Sequence, residues 1–124
     1  MKRDMDLIRE MLLMVEAHPS GFAPKIEIRG YTQEQIGYHA VLLEEAGFAK
    51  VIKTTSFGSK SPEAMMTQLT WAGHEFLDSA REIKRWNQAK DVIGKVGGAS
   101  IQIWVAILTQ LIKRELGLDS QIVK

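Results

Sequence analysis

The 124-residue sequence predicts an α+β fold that is mostly α. Three observations indicate this class. Long stretches carry apolar residues at helical spacing, a capping motif opens a helix at Thr32, and two segments of β-forming residues flank a loop. The hydrophobic content of 45% is enough to bury a core. We therefore expect one compact domain, or one domain with a helical extension.

The first helix is expected to begin at Asp4 or Asp6, since either carboxylate can cap free backbone N–H groups. Pro19 and the turn formers around it end this helix. Residues 25–29 then alternate strictly between polar and apolar, which predicts a half-buried strand. The apolar stripe of the first helix consists of Met5, Ile8, Met11, Leu12 and Val15.

The second helix carries signals at both of its ends. Thr32 is expected to accept a hydrogen bond from the backbone N–H of Gln35, whose side chain can reach back in a capping box. Gly47 suits the left-handed position that follows a helix, so the helix is expected to end at Ala46. The front end of this helix is polar and its back is apolar.

The rest of the chain predicts two strands, a loop and two more helices. Residues 48–55 form a strand and residues 56–62 a loop, while residues 64–69 are a returning strand or, by their equally helical composition, a helix. Thr70 caps a long helix that continues to residue 96. Gly97 and Gly98 interrupt the chain, and Ser100 caps a last helix that ends at Gly117.

The predicted order of helix, strand, helix, strand, loop, strand and helix is that of a winged helix-turn-helix domain. We predict a winged-helix core over residues 1–77 and a helical extension over residues 78–124, built from the rest of the long helix and the last helix. The helix that normally precedes the recognition helix has no room before Thr32. Either residues 21–25 form an irregular substitute, or the domain is a degenerate version.

Two phrases resemble known winged-helix regulators. TQEQIGYHAVLLEEAGF is similar to the recognition-helix segment of the arsenic-repressor and multiple-antibiotic-resistance types. QLTWAGHEFL resembles the phrase L-T-x-x-G-x-x-hydrophobic-L that follows the wing in those proteins. The resemblance covers residues 32–77 and implies that the second helix is a recognition helix.

A wider resemblance covers almost the whole chain. MKRDMDLIR, GYTQEQIGYHAVLLEEAG, LTWAGHEFLD and WNQAKDVIGKVGGAS are similar to a family of short bacterial and prophage proteins. That family is catalogued as domain of unknown function twenty-five-thirteen. The resemblance implies a shape and an association with phages and mobile elements, and it brings no activity and no functional residues.

A recognition helix places its first turns in the major groove of DNA. Glutamine can bond adenine through its N6 and N7 atoms, and tyrosine can donate to a phosphate. The wing of such a domain is the loop of the hairpin formed by the two strands, here residues 56–62, and lysines on a flexible wing or on its strands suit phosphate contact. The alternative is that the helix presents an ordinary solvated face and that the loop is an ordinary hairpin. The candidate DNA-binding residues are Gln33, Gln35, Tyr38, His39, Lys50, Lys53 and Lys60.

The last helix predicts a homodimer. Its apolar residues cover more than one face, which indicates more than one neighbour. The alternative is a helix buried on both sides within one chain. Trp71 and Trp86 also lie among apolar residues at helical spacing and, with Trp104, are expected in the core or in an interface. The candidate dimer residues are Ile103, Trp104, Ile107 and Leu111.

No pattern in the sequence nominates catalysis or a metal. The chain has no cysteine, its three histidines are scattered, and it has no nucleophile–His–Asp arrangement and no phosphate-binding loop. We therefore expect no enzyme activity, no cofactor and no metal site. No apolar run is long enough to span a membrane and the first residues lack a signal-peptide pattern, so we expect a cytoplasmic protein.

Two functions follow from these patterns. The first is a small DNA-binding protein, a transcriptional regulator from a phage or mobile element that binds double-stranded DNA. The second is a winged-helix module that binds a host or phage protein, as an inhibitor or adaptor, and does not bind DNA. The net charge of +1 is low for a duplex binder. A positive surface around residues 33–39 and the wing favours DNA, and an acidic or apolar surface favours a protein.

Overall fold

The computed structural model describes residues 1–20 and 24–118. The described elements are α1 (Met5–Ala17), α2 (Gln33–Glu45), β1 (Ala49–Lys53), β2 (Ala64–Leu69), α3 (Trp71–Ala80), α4 (Ile83–Gly94) and α5 (Ile101–Glu115). The predicted α+β class with a helical majority is confirmed. The order of the elements is consistent with a small winged-helix-like fold. The chain divides into two compact units, Met1–Leu77 and Asp78–Lys124.

The first unit packs α1 and α2 against an antiparallel hairpin of β1 and β2. The ladder has a bulge next to Lys50. Thr67 is the extra residue of this bulge, and its hydroxyl donates to the Lys50 carbonyl oxygen at 3.0 Å. Every element contributes apolar side chains to the core, which includes Leu7, Met11, Leu12, Ile36, Leu43, Met66, Leu69, Phe76 and Leu77.

A buried imidazole joins the N-terminal parts of α1 and α2. His39 Nε2 accepts a hydrogen bond from the Asp4 backbone N–H at 2.9 Å. Because Nε2 is the acceptor, Nδ1 carries the ring proton and donates to the Gln35 carbonyl oxygen at 2.7 Å. The Asp4 carboxylate caps α1 by accepting from the Leu7 N–H at 3.1 Å, and it also accepts from the Tyr31 hydroxyl at 3.0 Å. One connected set of hydrogen bonds therefore holds both helix starts.

Both ends of α2 form as predicted. Thr32 Oγ1 accepts from the Gln35 N–H at 3.1 Å, and Gln35 Oε1 accepts from the Thr32 N–H at 2.8 Å. This reciprocal pair is the capping box. Gly47 has a φ of +79°, a left-handed conformation in which glycine meets no Cβ clash.

Thr70 and Gly73 tie the start of α3 to the end of α2. The Thr70 hydroxyl accepts from the Gly73 N–H at 3.1 Å and donates to the Gly47 carbonyl oxygen. The Thr70 N–H donates to the Phe48 carbonyl oxygen at 3.0 Å. A Cβ placed on Gly73 would lie 1.9 Å from that same Phe48 oxygen. The helix can approach this closely only because residue 73 has no side chain. One turn further along, Phe76 stacks on Phe48 with ring centroids 5.0 Å apart.

The strand predicted over residues 25–29 does not form, and within the described residues β1 and β2 make up the whole sheet. The alternation of polar and apolar residues reflects alternate burial without a strand, since Ile26 is buried between exposed Lys25 and Glu27. The Ile26 carbonyl oxygen accepts from the Gln33 side chain at 3.2 Å, in place of a partner strand. Residues 24–32 form no helix, and the substitute predicted over residues 21–25 falls mostly outside the described residues.

The prediction of a single long helix after Thr70 is wrong, because the chain breaks at Arg81 and Glu82 between α3 and α4. Glu82 adopts an extended conformation with a ψ of 118°, and its carboxylate caps α4 by accepting from the Arg85 N–H at 3.0 Å. The apolar residues on the two sides of the break keep a helical spacing, so the periodicity alone gave no sign of it.

The second unit packs α4 against α5. Trp86 and Trp104 are buried and stack with ring centroids 4.4 Å apart. Arg85 donates two hydrogen bonds to the Glu115 carboxylate, at 2.9 Å and 2.8 Å. These bonds raise the pKa of the guanidinium and lower the pKa of the carboxyl group. Ala80, Ala89, Ile93 and Leu108 complete the described core of this unit.

Some apolar side chains at helical spacing are exposed in the structure. Trp71, expected in the core or in an interface, is 81% exposed and so is not a core residue, and Ile83 and Val92 are also exposed. Trp71 and Ile83 are the first residues of α3 and α4. A first residue has no preceding helical turn beside it, so the periodicity of the later turns does not determine its burial.

Replacing Gly73 by Ala tests the close approach of α3 to Phe48. We expect the free energy of unfolding to fall by about 1–3 kcal/mol, the usual cost of overpacking, because the new methyl group collides with a backbone oxygen. Gly94→Ala is the matched control, since a Cβ at this helical position meets nothing within 4 Å. That variant is expected to be as stable as the wild type or more stable, by up to about 1 kcal/mol. Denaturant unfolding measures both, and a Gly73→Ala variant as stable as the wild type would contradict the packing described here.

The hydrogen bond from Tyr31 to Asp4 stabilises the folded chain by an amount that decreases at alkaline pH. Burial, the hydrogen bond and the nearby carboxylates raise the pKa of Tyr31 to about 12, against an ordinary value of 10.0. The folded state therefore favours the protonated phenol, and this contribution is complete below pH 10 and is lost as the pH rises through 12. Tyr31→Phe is expected to be less stable than the wild type by roughly 1–2 kcal/mol at neutral pH. The free energies of unfolding of the wild type and Tyr31→Phe should approach each other as the pH rises from neutral to 12. A difference between them that is constant with pH would exclude the hydrogen bond as its source.

Candidate functional site

The four α2 residues predicted to contact DNA lie in different environments. Gln33 is exposed, but its side chain donates to the Ile26 carbonyl oxygen. Gln35 is half-buried and its side chain closes the capping box. Tyr38 is half-buried and meets the His39 ring edge-on, with centroids 6.0 Å apart. The polar front of α2 is therefore largely engaged within the chain.

The prediction that His39 contacts DNA is wrong. This side chain is 1% exposed, and both of its ring nitrogens are hydrogen-bonded, to Asp4 and to Gln35. It cannot reach a base without breaking the junction between α1 and α2. Sequence reasoning missed this role because the partner of Nε2 is a backbone N–H that lies 35 residues earlier in the chain.

The face of α2 that points to solvent holds a different set of residues. Glu34, Tyr38, Val41 and Glu45 follow one another at helical spacing and form one stripe, which we call the α2 stripe. The two carboxylates are exposed, and the tyrosine and valine between them are half-buried. No Lys or Arg occurs anywhere in α2. Glu34, Val41 and Glu45 were not among the predicted site residues, although a projection of the helix places them on this face.

The three predicted lysines are all exposed. Lys50 and Lys53 lie on β1, and Lys60 lies on the loop between the strands. Lys53 Nζ lies 3.7 Å from Glu44 Oε1 at the end of α2, so an acidic group partly neutralises its charge. Lys50 and Lys60 have no ion-pair partner in the part of the chain that the structure describes. Two of the three lysines are thus available to a ligand.

The loop between the strands, residues 54–63, is the wing, and hydrogen bonds fix its shape. At the neck, the Thr54 N–H donates to the Glu63 carbonyl oxygen at 3.0 Å, and the Glu63 N–H donates to Thr55 Oγ1 at 2.9 Å. At the tip, the Ser59 N–H donates to the Ser56 carbonyl oxygen at 3.0 Å, and the Ser56 N–H donates to Ser59 Oγ at 2.9 Å. The wing is therefore an ordered support for the side chains it carries.

Charge is distributed unevenly between the two units. Residues 1–77 contain eight Lys and Arg against ten Asp and Glu, whereas residues 78–124 contain eight against five. The winged-helix-like unit, which would meet DNA, is therefore acidic. The small positive charge of the whole chain comes from the other unit.

The residues predicted at a dimer interface differ in accessibility. Trp104 is buried against Trp86 within one chain, so its assignment to an interface between chains is wrong. Ile103 is 48% exposed, and Ile107 and Leu111 are half-buried. A dimer through these three residues stays a prediction.

The described residues form neither a metal-binding cluster nor a membrane-spanning helix. No three acidic or histidine side chains among them come together in a way that could hold a metal ion. None of the helices in this part of the chain is both long and apolar enough to cross a bilayer. The two candidate functional regions are the α2 stripe and the wing.

The family described as "Hypothetical protein (DUF2513)" matches residues 2–100 of this chain, a range that ends just before α5. An uncharacterized protein of Haemophilus influenzae is 38% identical over 101 residues, which cover 75% of this chain and 79% of that protein. No solved structure matches the chain, and the resemblance to winged-helix regulators stays a prediction. The family predicted from the sequence is confirmed: the chain belongs to the DUF2513 family.

Proposed function

We propose that the first unit is a protein-binding module on a winged-helix-like scaffold and that it does not read DNA sequence. The observation that carries this proposal is the α2 stripe. It presents two exposed carboxylates, one tyrosine and one valine where a recognition helix would present several donors to the bases. The proposal assigns no catalytic reaction to the chain.

Electrostatics favours a protein over DNA at this surface. Glu34 lies in the first turn of α2, the part of a recognition helix that enters the major groove. A carboxylate there is repelled by the phosphates on both sides of the groove, and α2 has no basic residue to offset it. The excess of acidic residues over the whole unit adds repulsion at longer range.

The α2 stripe fits a partner surface that is apolar at its centre and basic at its rim. Tyr38 and Val41 supply the apolar centre, and tyrosine is one of the residues enriched at the energetic centre of interfaces. Glu34 and Glu45 lie at the two ends of the stripe, where charges orient an approaching partner and raise the association rate. A surface with Lys or Arg flanking an apolar patch complements both features.

A second candidate is contact between the wing and nucleic acid that does not depend on base sequence. The exposure of Lys50 and Lys60 favours it. Contacts to phosphates require positive charge but no access to base edges, so they do not need a basic recognition helix. This candidate places the ligand on the wing and on the adjoining strand β1, where Lys50 lies.

Reversing the two exposed charges of the α2 stripe separates the two functions. In the double variant Glu34→Lys with Glu45→Lys, capture of a basic-rimmed host protein from a lysate should fall by about tenfold or more. Capture of that protein by the wild type should be the same with and without nuclease treatment. The same variant should bind nucleic acid more tightly than the wild type if the wing contacts phosphates. Glu75→Lys with Asp91→Lys is the control, because it makes the same charge change at exposed positions on α3 and α4. Capture that nuclease abolishes, or that the stripe variant retains, would exclude protein binding through this face.

Replacing Lys50, Lys53 and Lys60 by Ala tests the second candidate. Phosphate contact predicts a similar loss of affinity on every DNA sequence and a salt slope that is lower by up to about three units. Under the protein-binding proposal, the wild type and the triple variant should both fail to bind duplex DNA at low salt. Fluorescence anisotropy with two duplexes of unrelated sequence measures this. Salt-dependent binding by the wild type that disappears in the triple variant would establish β1 and the wing as a nucleic-acid site.

A further inference from the structure

The tip of the wing exposes an aromatic side chain on a fixed support. Phe57 is fully exposed, although hydrogen bonds between Ser56 and Ser59 hold the turn around it. A phenyl ring in water gives up the favourable burial that it would gain in a core. An aromatic residue that is both exposed and held in place has the form of an anchor for a pocket on another molecule.

The first unit also carries an open, largely apolar groove of about 480 Å³. Its wall includes Thr54 and Glu63, so it opens at the base of the wing. Phe57 of the same chain does not occupy it, because that ring is fully exposed at the tip. The apolar lining of the groove comes from α1, α2 and β2 and includes Met11, Ile36, Ala40, Met65 and Met66.

We propose that two copies of the chain pair by inserting Phe57 of each copy into the groove of the other. The inference goes beyond the proposed function and does not rest on it. In a two-fold pair, each contact between a tip and a groove occurs twice, since both copies present the same two surfaces. Each inserted ring buries about 150–250 Å². The volume of the groove lies within the range of pockets that enclose small ligands, about 300–1,000 Å³, and it is ample for one ring.

Charge and apolar surface near the wing tip and the groove support a second copy of the chain as the occupant of the groove. Lys60 follows Phe57 on the wing, is exposed and has no ion-pair partner in the described chain. Glu63 and Lys25 both line the groove, and Lys25 is paired with Glu27 at 3.3 Å. Seating the ring therefore brings Lys60 of one copy toward the Glu63 carboxylate of the other. Ile52 and Met65 are cross-strand neighbours, both exposed, and Met65 also lines the groove. The pair covers this apolar surface, which the single chain leaves in water.

Sedimentation equilibrium of the full chain, at concentrations up to about 1 mM, measures the pairing across the affinities expected of small interfaces. We expect the wild type to dimerise and Phe57→Ala to weaken the dimer roughly 30-fold or more, as the loss of an anchoring aromatic does. Thermal unfolding of that variant at low concentration should match the wild type, because the exposed ring supports nothing within its own chain. Phe57→Trp keeps an aromatic anchor and is expected to retain the dimer.

A charge swap tests the orientation of the pair. Lys60→Glu should weaken the dimer, and Lys60→Glu combined with Glu63→Lys should restore it. A wild type that stays monomeric over the whole concentration range overturns the proposal, as does a dimer that Phe57→Ala leaves unchanged. A dimer that dissociates in Ile103→Lys with Ile107→Lys, but not in Phe57→Ala, places the interface on α5 and also overturns it. None of these outcomes bears on capture of a host protein by the α2 stripe.

Discussion

The hydrogen bonds of one buried imidazole determine how the first unit is assembled. His39 accepts the backbone N–H of Asp4 and donates its ring proton to the carbonyl of Gln35. Asp4 is the N-cap of α1 and Gln35 closes the capping box of α2. The residues that bond to His39 are therefore the same residues that cap the N-termini of both helices. A buried polar group left without a partner costs about 1–3 kcal/mol. The direction of α2, and with it the direction of every side chain on its outer face, depends on these contacts.

That direction sets which side chains of α2 face the solvent in this winged-helix-like fold. The polar residues at the front of α2 are used to cap the helix, to bond residue 26 and to hold α1. What remains outside is the α2 stripe, with a carboxylate near each end. A fold does not determine the ligand, because the ligand is selected by the side chains that the fold leaves exposed. Our proposal of a protein partner rests on those side chains and on the acidic balance of the unit.

The parts of the fold that the sequence predicts well are those determined within a few residues. Asp4, Thr32, Gly47 and Ser100 all act where predicted, because a cap acts on backbone groups up to three positions away. The parts that it predicts poorly depend on distant partners. Residues 25–29 alternate like a strand, but a strand requires a neighbour, and the Ile26 carbonyl is taken by a side chain from α2. The break at Glu82 is hidden because glutamate is an uncommon cap and the spacing on both sides is helical.

The candidate site shows the same division. The spacing of Glu34, Tyr38, Val41 and Glu45 is visible in the sequence, and a projection of the helix would have identified this face. The burial of His39 is not visible, since it depends on the position of α1. The exposure of Phe57 is also not visible, because an apolar residue in a loop commonly packs against the body of its domain, and only the turn geometry shows that this one does not.

Thr70 and Gly73 carry a consequence for how relationships between such proteins are read. The threonine hydroxyl joins the residue after one helix to the first turn of the next, and the glycine admits a backbone oxygen where no side chain fits. The letters L-T-x-x-G are therefore required by the path of the chain from hairpin to helix. Folding alone is a sufficient reason for these residues, whereas the fold does not fix the side chains of the outer surface. Two related proteins can share this phrase and bind entirely different molecules. The phrase therefore indicates a common scaffold and says nothing about the ligand.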